Sequence, residues 1–215
     1  MKEIKEYFEN LESLELNSFH SYIDELADTI TTKEQQVWRN LFKTWLVATV
    51  NNLYSENRTN HIALILGNNR KAHTWIQKLL PKEKLGIMYS CGIYGEQSIL
   101  TNKLIIQIDE DARSMLMSYP KAEYLKHCMT LNTVFCRQQY EREKRDYPVI
   151  ASFIGTITDT LLIPQGSRRF IPVTCIDIDL QEINKIDINK VWAEAYMLNK
   201  SGYKFNYLLE VAKLR

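Results

Sequence analysis

The chain has 215 residues, of which 45% are hydrophobic and 25% charged, and its formal net charge is +1. This composition is typical of one sizeable globular domain, and it excludes a protein whose overall charge attracts polyanions. Its 7 Gly and 5 Pro argue against long linkers. No apolar run approaches a membrane span, and the charged start of the chain lacks the apolar core of a signal peptide. We therefore predict a cytoplasmic protein with no membrane partner.

The cysteines do not form a recognisable metal-binding pattern. They are Cys91, Cys128, Cys136 and Cys175. None is part of a Cys-x-x-Cys pair, and His127 beside Cys128 has no second ligand at metal-site spacing. We interpret the four as reduced thiols rather than as a zinc site.

The first 60 residues are predicted to form a helical segment. Apolar residues recur at helical spacing over residues 2–30, with a break near Asn17 or Ser18. Thr31 to Glu34 resembles a capping box, and it precedes a strong amphipathic helix predicted for residues 33–54. The apolar positions of that helix are Trp38, Leu41, Phe42, Trp45, Leu46, Val50 and Leu53.

The central stretch of the chain follows this segment. The apolar run Ile62–Leu66 predicts a strand buried on both faces, and it ends at Gly67. Residues 72–80 are then predicted to be helical. A strand, a glycine-containing loop and a helix are the setting of the phosphate-binding motif G-x-x-x-x-G-K-[ST].

Two of the four defined positions of that motif match. Counted from Gly67, the second glycine falls on Ala72, the lysine on His73 and the hydroxyl on Thr74. The missing lysine matters most, because its ammonium normally reaches the β- and γ-phosphates. An ordinary strand, turn and helix therefore remains the alternative.

An acidic pair follows the strand predicted for residues 104–108. Asp109 and Glu110 stand where a Walker B element has its two acids. The first of these holds Mg²⁺ and the second can orient the attacking water. Acids after a strand are also common in plain loops, so that alternative stays open.

A segment with mixed charge and several basic residues lies further along the chain. Residues 137–145 contain four basic and two acidic side chains with one tyrosine. We predict a hairpin or loop that offers arginine and tyrosine to a phosphate backbone, with a solvated loop as the alternative. The predicted DNA-binding residues are Arg137, Arg142, Lys144 and Arg145.

Two adjacent arginines precede the last predicted strand. The turn Gly166-Ser167-Arg168-Arg169 places two guanidinium groups at a strand end. That arrangement suits recognition of phosphate, either from a neighbouring subunit's nucleotide or from DNA. A simple surface turn explains the same residues equally well.

Together the patterns predict an α/β fold. The five predicted strands lie near residues 62–66, 85–90, 104–108, 149–154 and 170–175. Helical patterns between several of them favour a largely parallel, P-loop NTPase-like sheet with flanking helices. The predicted boundaries are a helical segment at 1–60, a core at 61–185 and a helical segment at 186–215. Because ligands of such sheets bind at the carboxyl ends of the strands, Gly67, Asp109, Thr158 and the arginine pair are expected there.

From about residue 37 to residue 198 the chain resembles the virulence-associated E family. These are P-loop proteins of phages and mobile elements, related to superfamily 3 helicases and often joined to primases. The resemblance is carried by segments that occur in order: Phe42–Val47, Leu66–Gly67, Ile106–Glu110, Ala151–Thr156, Gly166–Phe170 and Val191–Ala195.

The resemblance implies a site for ATP and Mg²⁺. In such proteins the P-loop holds the phosphates, the acid pair supports hydrolysis, and a polar residue after the fourth strand senses the γ-phosphate. Arginines near the Gly-x-Arg-Arg turn can complete a site in trans. The implied catalytic residues are Asp109, Glu110, Thr158, Arg168 and Arg169. The implied nucleotide-binding residues are Gly67, Lys71, His73 and Thr74, and the implied metal ligands are Thr74 and Asp109.

The departures from the motif weaken the expected catalysis. A neutral imidazole at His73 cannot supply the lysine's fixed charge, and the β-carbon of Ala72 crowds the backbone where phosphate would approach. Lys71 and Arg70 are out of register with the motif. We expect weak or absent ATP hydrolysis, so whether the protein is an enzyme stays open.

Three hypotheses follow. The first is a degenerate P-loop ATPase- or helicase-like protein of a phage or mobile element, associated with DNA in replication. The second is a non-enzymatic interaction or scaffold protein that keeps the fold and binds a primase, another replication protein or an active paralogue. The third is a working NTPase with a non-standard lysine. Assembly into a homo-oligomer is compatible with each of them.

Overall fold

A parallel sheet with helices on both faces forms the centre of the protein in a computed structural model that describes residues 2–80, 87–89, 97–108, 119–138, 141–163 and 168–205. The helices are α1 Lys2–Leu11, α2 Tyr22–Asp28, α3 Gln35–Asn51, α4 Ala72–Gln77, α5 Ile99–Asn102, α6 Tyr119–Thr130, α7 Leu180–Ile183 and α8 Ile188–Lys200. The strands are β1 Ile30–Thr31, β2 Ala63–Gly67, β3 Ile87–Tyr89, β4 Ile105–Ile108, β5 Thr133–Cys136, β6 Arg145–Pro148, β7 Ser152–Ile157, β8 Phe170–Thr174 and β9 Asp177–Ile178. A 3-10 turn spans Thr160–Leu162.

The main sheet has five strands in the order β3-β4-β7-β2-β8. All four neighbouring pairs are parallel. Every residue of β2, β4 and β7 is buried, as continuous apolar runs in a sheet covered on both faces require. The predicted α/β fold and its parallel sheet are confirmed, although β7 begins three residues later than the predicted strand at 149–154.

The carboxyl ends of the three neighbouring strands β7, β2 and β8 meet at one edge of the sheet. Gly67 at the end of β2 lies in register with Ile157 on β7 and with Thr174 on β8. Loops that follow these strands therefore start side by side, which brings together side chains far apart in the sequence.

The first face of the sheet is covered by helices from both ends of the chain. Helix α8 contacts α1, α2 and α3, and the four tryptophans of the chain are almost fully buried in this layer. Polar bonds fix the arrangement: Glu194 accepts from the Ser21 hydroxyl at 2.8 Å and from the Ile23 backbone at 2.9 Å. One apolar core thus includes residues from all three predicted segments of the chain.

The second face carries α5, α6 and a hairpin. Leu100, Leu125 and Met129 join Ile106 and Phe153 in a second apolar cluster beneath these elements. The hairpin is formed by β5 and β6, which pair antiparallel with Phe135 opposite Asp146. For residues 137–145 the sequence predicted either a hairpin or a loop. The structure has a hairpin there, with β5 and β6 on the two sides of this segment.

Two local details differ from the sequence prediction. The residues before α3 do not form the predicted capping box over Thr31 to Glu34; instead the Thr32 backbone donates to Gln35 Oε1 at 3.0 Å, and Glu34 at the N-cap makes no side-chain cap bond. The two-residue strands β1 and β9 pair antiparallel and were not predicted. Strands this short have no recognisable periodicity in a sequence.

The buried thiols and the helices bear on two further predictions. Burial raises the pKa of the Cys128 thiol to about 11 and that of the Cys175 thiol to about 12, so both are protonated and unreactive at neutral pH. Cys91 lies outside the described residues. Among the helices of the described ranges, none combines the length and apolar character that crossing a membrane requires.

Candidate functional site

The loop between β2 and α4 is the feature that the motif comparison singled out. Asn68 adopts a left-handed backbone conformation with φ of 67°. Its Oδ1 accepts from the backbone N–H of Thr160 at 3.2 Å and from the Thr160 hydroxyl at 3.1 Å. The Thr160 hydroxyl also bonds the hydroxyl of Thr174 at 3.0 Å. The loop is therefore held against the segments that follow β7 and β8.

Gly67 is required by a close contact with that same threonine. A β-carbon at this position would lie 2.4 Å from Thr160 Cγ2 and 3.1 Å from Ile157 Cγ2. The glycine that begins the motif therefore allows Thr160 to pack against the loop. This packing explains why glycine stands at position 67 without reference to any ligand.

Two backbone amides of the loop are bonded within the loop itself. The Lys71 N–H donates to Asn69 Oδ1 at 2.9 Å, and the Ala72 N–H donates to the Asn69 carbonyl at 3.2 Å. In a phosphate-binding loop such amides point at the anion. Asn69 here takes the place that a phosphate oxygen would occupy for these two donors.

The lysine nearest to the motif position is bound to a different part of the protein. Lys71 Nζ donates to Asp177 Oδ1 at 2.9 Å and to the Ile178 carbonyl at 2.8 Å. The hydrogen bond from Lys71 lowers the pKa of the Asp177 carboxyl. This ammonium is directed towards β9, and Lys71 is not one of the residues that line the cleft described next.

A cleft of about 850 Å³ lies beside the loop at the carboxyl edge of the sheet. It is lined by Asn68, Asn69, Arg70, His73, Thr74, Thr156, Ile157 and Thr158. His73 is half-buried, whereas Thr74 and Thr158 are exposed. Three predicted site residues are thus brought together, while Gly67, the last residue of β2, is not part of the cleft lining. Asp109 and Glu110 lie outside the described residues, so only Thr74 of the two predicted metal ligands is described.

One buried hydroxyl in the cleft lacks a partner within the described part of the chain. Thr156 is only 5% exposed, and its Oγ1 has no hydrogen-bonding group in reach. Thr156 lies on β7 in register with Leu66 of β2, one residue before the strand ends. Buried hydroxyls are usually satisfied, so this one is a candidate contact for a polar ligand.

The described residues fit Mg²⁺-ATP incompletely. Thr74 and Thr156 offer hydroxyls, and Arg70 contributes an exposed guanidinium to the cleft lining. Against this, Lys71 is bound to Asp177, and Asn69 occupies two loop amides. Within the described ranges, His, Cys, Asp and Glu side chains form no group of three or more suited to a metal ion. The described residues of the site therefore supply little of the concentrated positive charge that holds a triphosphate.

The arginine pair is found at the opposite edge of the sheet. Arg169 directly precedes β8, its Nη1 donates to the His61 carbonyl at 3.1 Å, and its own carbonyl accepts from Ala63 at 2.7 Å. The expectation that Arg168 and Arg169 collect with Gly67 was wrong, because residues that precede a parallel strand lie at its amino end. A role in completing the site of a neighbouring copy stays a prediction.

The four basic residues proposed to contact DNA are all exposed on the β5–β6 hairpin. Arg137 follows β5, Arg145 begins β6, and Arg142 and Lys144 lie between them. The hairpin is attached to α5 through Gln138, whose amide donates to the Thr101 hydroxyl at 2.6 Å and accepts from Asn102 at 2.6 Å. The structure thus presents these cations to solvent on an anchored element, and DNA contact stays a prediction.

Sequence reasoning missed the asparagines and threonines that shape the loop. Asn68 carried a usable signal, because asparagine is the non-glycine residue that most readily adopts the left-handed conformation. Thr160 and Thr174 carried none, because their contacts join positions separated by 92 and 14 residues.

These features define an α/β protein with a P-loop NTPase-like parallel sheet. A family model for the virulence-associated protein E-like domain matches residues 11–214, and the chain belongs to this family.

Solved structures support the fold. The chain is similar to the apo structure of the NrS-1 C-terminal region (305–718), with a TM-score of 0.63 and 18% identity, covering 94% of this chain and 50% of that one. The A form apo structure of the same region gives a TM-score of 0.57 and 16% identity, covering 94% and 49%. The chain therefore spans about half the length of these structures. A search of curated proteins found no match.

Proposed function

We propose that this protein is a DNA-associated replication module of a phage or mobile element that keeps a P-loop-like sheet with weak or lost ATP hydrolysis. The observation that carries the proposal is the altered loop. His73 stands at the lysine position, and Lys71, the nearest lysine, is bound to Asp177. Membership of the virulence-associated protein E-like family supports the replication setting through the helicase and primase relatives of that family.

The loop argues against efficient hydrolysis for an electrostatic reason. Stabilising a transferred phosphoryl group needs fixed positive charge at the β- and γ-phosphates. The half-buried imidazole of His73 is shorter than a lysine side chain and does not carry a lysine's ammonium group. Arg70 is exposed at the cleft rim, where solvent screens its charge.

The first test measures thermal unfolding with and without Mg²⁺-ATP. We expect no shift of the midpoint for the native protein, and an upward shift of roughly 5 °C for His73→Lys at ligand concentrations far above Kd. The substituted lysine restores the missing positive charge, whereas the native loop leaves the negative charge of the triphosphate uncompensated. A clear shift of the native protein would contradict the proposed loss and would call for hydrolysis assays.

The control for this test is the double variant His73→Lys, Thr74→Ala. Thr74 is the hydroxyl of the motif and is exposed in the cleft, so its removal leaves the core untouched. The restored shift should shrink if nucleotide occupies the loop. A shift that survives in full would place the nucleotide elsewhere on the protein.

DNA binding is tested at the hairpin with Arg142→Ala, Arg145→Ala. Loss of two exposed cations should weaken DNA binding about tenfold and reduce the slope of log affinity against log salt by about 1.5 to 2. Fluorescence anisotropy over a salt series measures both quantities. The variant Lys33→Ala, Lys204→Ala removes the same charge from exposed sites away from the hairpin and should change neither quantity much. Equal effects of the two variants would remove the hairpin from the proposal.

A non-enzymatic interaction role is the second candidate. Leu161 is 87% exposed in the turn after β7, and Ile176 is 56% exposed after β8. Exposed aliphatic side chains of this size are candidates for a protein contact. A protein that neither binds DNA in a salt-dependent way nor responds to Mg²⁺-ATP would favour this role over the first.

A further inference from the structure

A fully buried glutamine interrupts an otherwise apolar strand of the sheet. Gln107 on β4 is 0% exposed, and neither its Oε1 nor its Nε2 has a hydrogen-bonding partner within the described part of the chain. The other three residues of β4 are isoleucines. Because a buried amide without partners destabilises a fold, Gln107 points to a partner other than these protein groups.

The unpartnered hydroxyl of Thr156 lies on the neighbouring strand. Strand β4 pairs with β7 so that Gln107 is in register with Ile154, and Thr156 is two residues further along β7. One strand across and two residues along corresponds to a Cα separation of roughly 8 Å. The three unpartnered atoms of these two side chains therefore belong to neighbouring positions of the sheet.

Both side chains are on the same face of the sheet. Side chains alternate between the two faces along a strand. Ile105 and Ile154 belong to the first apolar core, whereas Ile106 belongs to the second. Gln107 is two residues from Ile105, and Thr156 is two residues from Ile154, so both are on the face of the first core.

The pair of residues leads from the cleft towards β4. Helix α4 contacts β7, and its Trp75 belongs to the first core, so α4 covers β7 on this face. Thr156 lines the cleft beside α4, whereas Gln107 is not among the lining residues. Gln107 stands two positions before Asp109 in the sequence. A bridge between Gln107 and Thr156 would thus join the cleft to the strand that precedes the acidic pair.

The chemistry of the two side chains selects the molecule that can bridge them. Neither Gln107 nor Thr156 carries a charge, and a buried ion requires a compensating charge. A water molecule both donates and accepts, and it spans roughly 5–6 Å between two polar atoms. Buried waters typically make about three hydrogen bonds to groups that lack other partners, which matches the three atoms available here.

We infer that Gln107 and Thr156 hold one ordered water between β4 and β7, and that Gln107 is a positioning residue for the Thr156 hydroxyl. Through this water the buried amide fixes the direction of a hydroxyl that belongs to the cleft lining. The inference goes beyond the proposed function, since it requires neither nucleotide nor DNA.

The test is a double-mutant cycle followed by thermal unfolding without nucleotide. Gln107→Met removes the amide at similar length, and Thr156→Val removes the hydroxyl at similar volume. Each should lower the midpoint by roughly 3–6 °C, because it removes the water and leaves the other side chain unpaired. The double variant should unfold no lower than the less stable single variant, since the same water is lost only once.

Two further variants control the cycle. Gln107→Met combined with Thr174→Val should give additive losses, because Thr174 is exposed on β8 and bonds to Thr160 instead. Thr156→Ser keeps the hydroxyl, so Gln107→Met should lower the midpoint in that background as it does in the native protein. Without a water, Gln107→Met would remove an unpaired amide and raise the midpoint. A raised midpoint, or additive losses in the first cycle, would overturn the inference.

A crystal structure of the native protein without nucleotide decides the same question even if a variant fails to fold. A water within about 3.2 Å of both the Gln107 amide and the Thr156 hydroxyl is the expected result. A direct bond between the two side chains, or an apolar contact in place of the water, would contradict it. Either contradiction leaves the proposed function standing, because that function is tested with Mg²⁺-ATP and with DNA. Failure of those tests in turn leaves the water in place.

Discussion

Replacing Arg58 by alanine is expected to lower the free energy of unfolding by about 3 kcal/mol or more. Arg58 is a buried arginine, only 5% exposed, in the segment that leads into β2. Its Nη1 donates to the carbonyls of Cys128 at 3.0 Å and Leu131 at 3.4 Å. Its Nη2 donates to the carbonyls of Asn60 at 3.0 Å and Ala151.

The large expected effect follows from what the substitution leaves behind. The four carbonyls belong to the end of α6, the entry to β2 and the start of β7, and without the guanidinium they remain buried and unpaired. Each such group destabilises the fold by about 1–3 kcal/mol. Arg58 thus joins the amino ends of two central strands to the helix that precedes the β5–β6 hairpin.

Urea unfolding monitored by circular dichroism measures this effect. Arg58→Lys should recover part of the loss, because an ammonium reaches one or two of the carbonyls but cannot fork between them. Arg142→Ala, which removes an exposed arginine, should change the free energy of unfolding by less than about 0.5 kcal/mol. If Arg58→Ala were as mild as this control, the described hydrogen bonds would not hold these elements together.

The strands of the sheet were the part of the fold that the sequence predicted well. A run such as Ile62–Leu66 is apolar at every position because both of its faces are covered, and this needs no knowledge of its neighbours. The order β3-β4-β7-β2-β8 was not predictable in the same way. The order depends on pairings between segments that are far apart in the sequence. An apolar central strand could occupy several positions in the sheet with similar energy.

The candidate site was predicted in part. The strand, glycine and helix pattern placed His73, Thr74 and Thr158 at one cleft, because parallel strands bring their carboxyl ends together. The partner of Lys71 is 106 residues away in the sequence, and a surface ion pair of this kind leaves no trace in local composition. The arginine pair was predicted at the wrong edge of the sheet. Arg168 and Arg169 precede β8, so they lie at the amino end of this parallel strand and not at its carboxyl end.

The site proposed for ATP and the surface proposed for DNA lie on different elements of the protein. The loop belongs to the β2–α4 connection, and the hairpin is attached to α5 on the second core. The replacement of the motif lysine by His73 therefore leaves the surface of the hairpin unchanged. A protein with weak or lost hydrolysis that still binds DNA is the outcome that this separation predicts.

Truncating Trp75 to alanine is expected to lower the free energy of unfolding by about 3–5 kcal/mol. Trp75 is fully buried on α4, and its ring centroid lies 5.5 Å from that of Phe42 and 6.4 Å from that of Trp38. Its indole N–H donates to the buried Thr29 hydroxyl at 2.7 Å. The substitution therefore opens a cavity between α3 and α4 and also leaves Thr29 without this donor.

The same substitution tests how the cleft is held in place. Helix α4 has six residues, too few to be stable alone, so the position of His73 and Thr74 depends on the packing of Trp75. Trp75→Phe keeps most of the volume and loses the hydrogen bond, and it should lower stability by about 1–2 kcal/mol. In the His73→Lys background, Trp75→Phe should also reduce the Mg²⁺-ATP shift, because the lysine is then less firmly placed. Calorimetric unfolding of the single and double variants measures both effects. A full nucleotide shift together with a stability loss would mean that α4 positions the loop without help from this tryptophan.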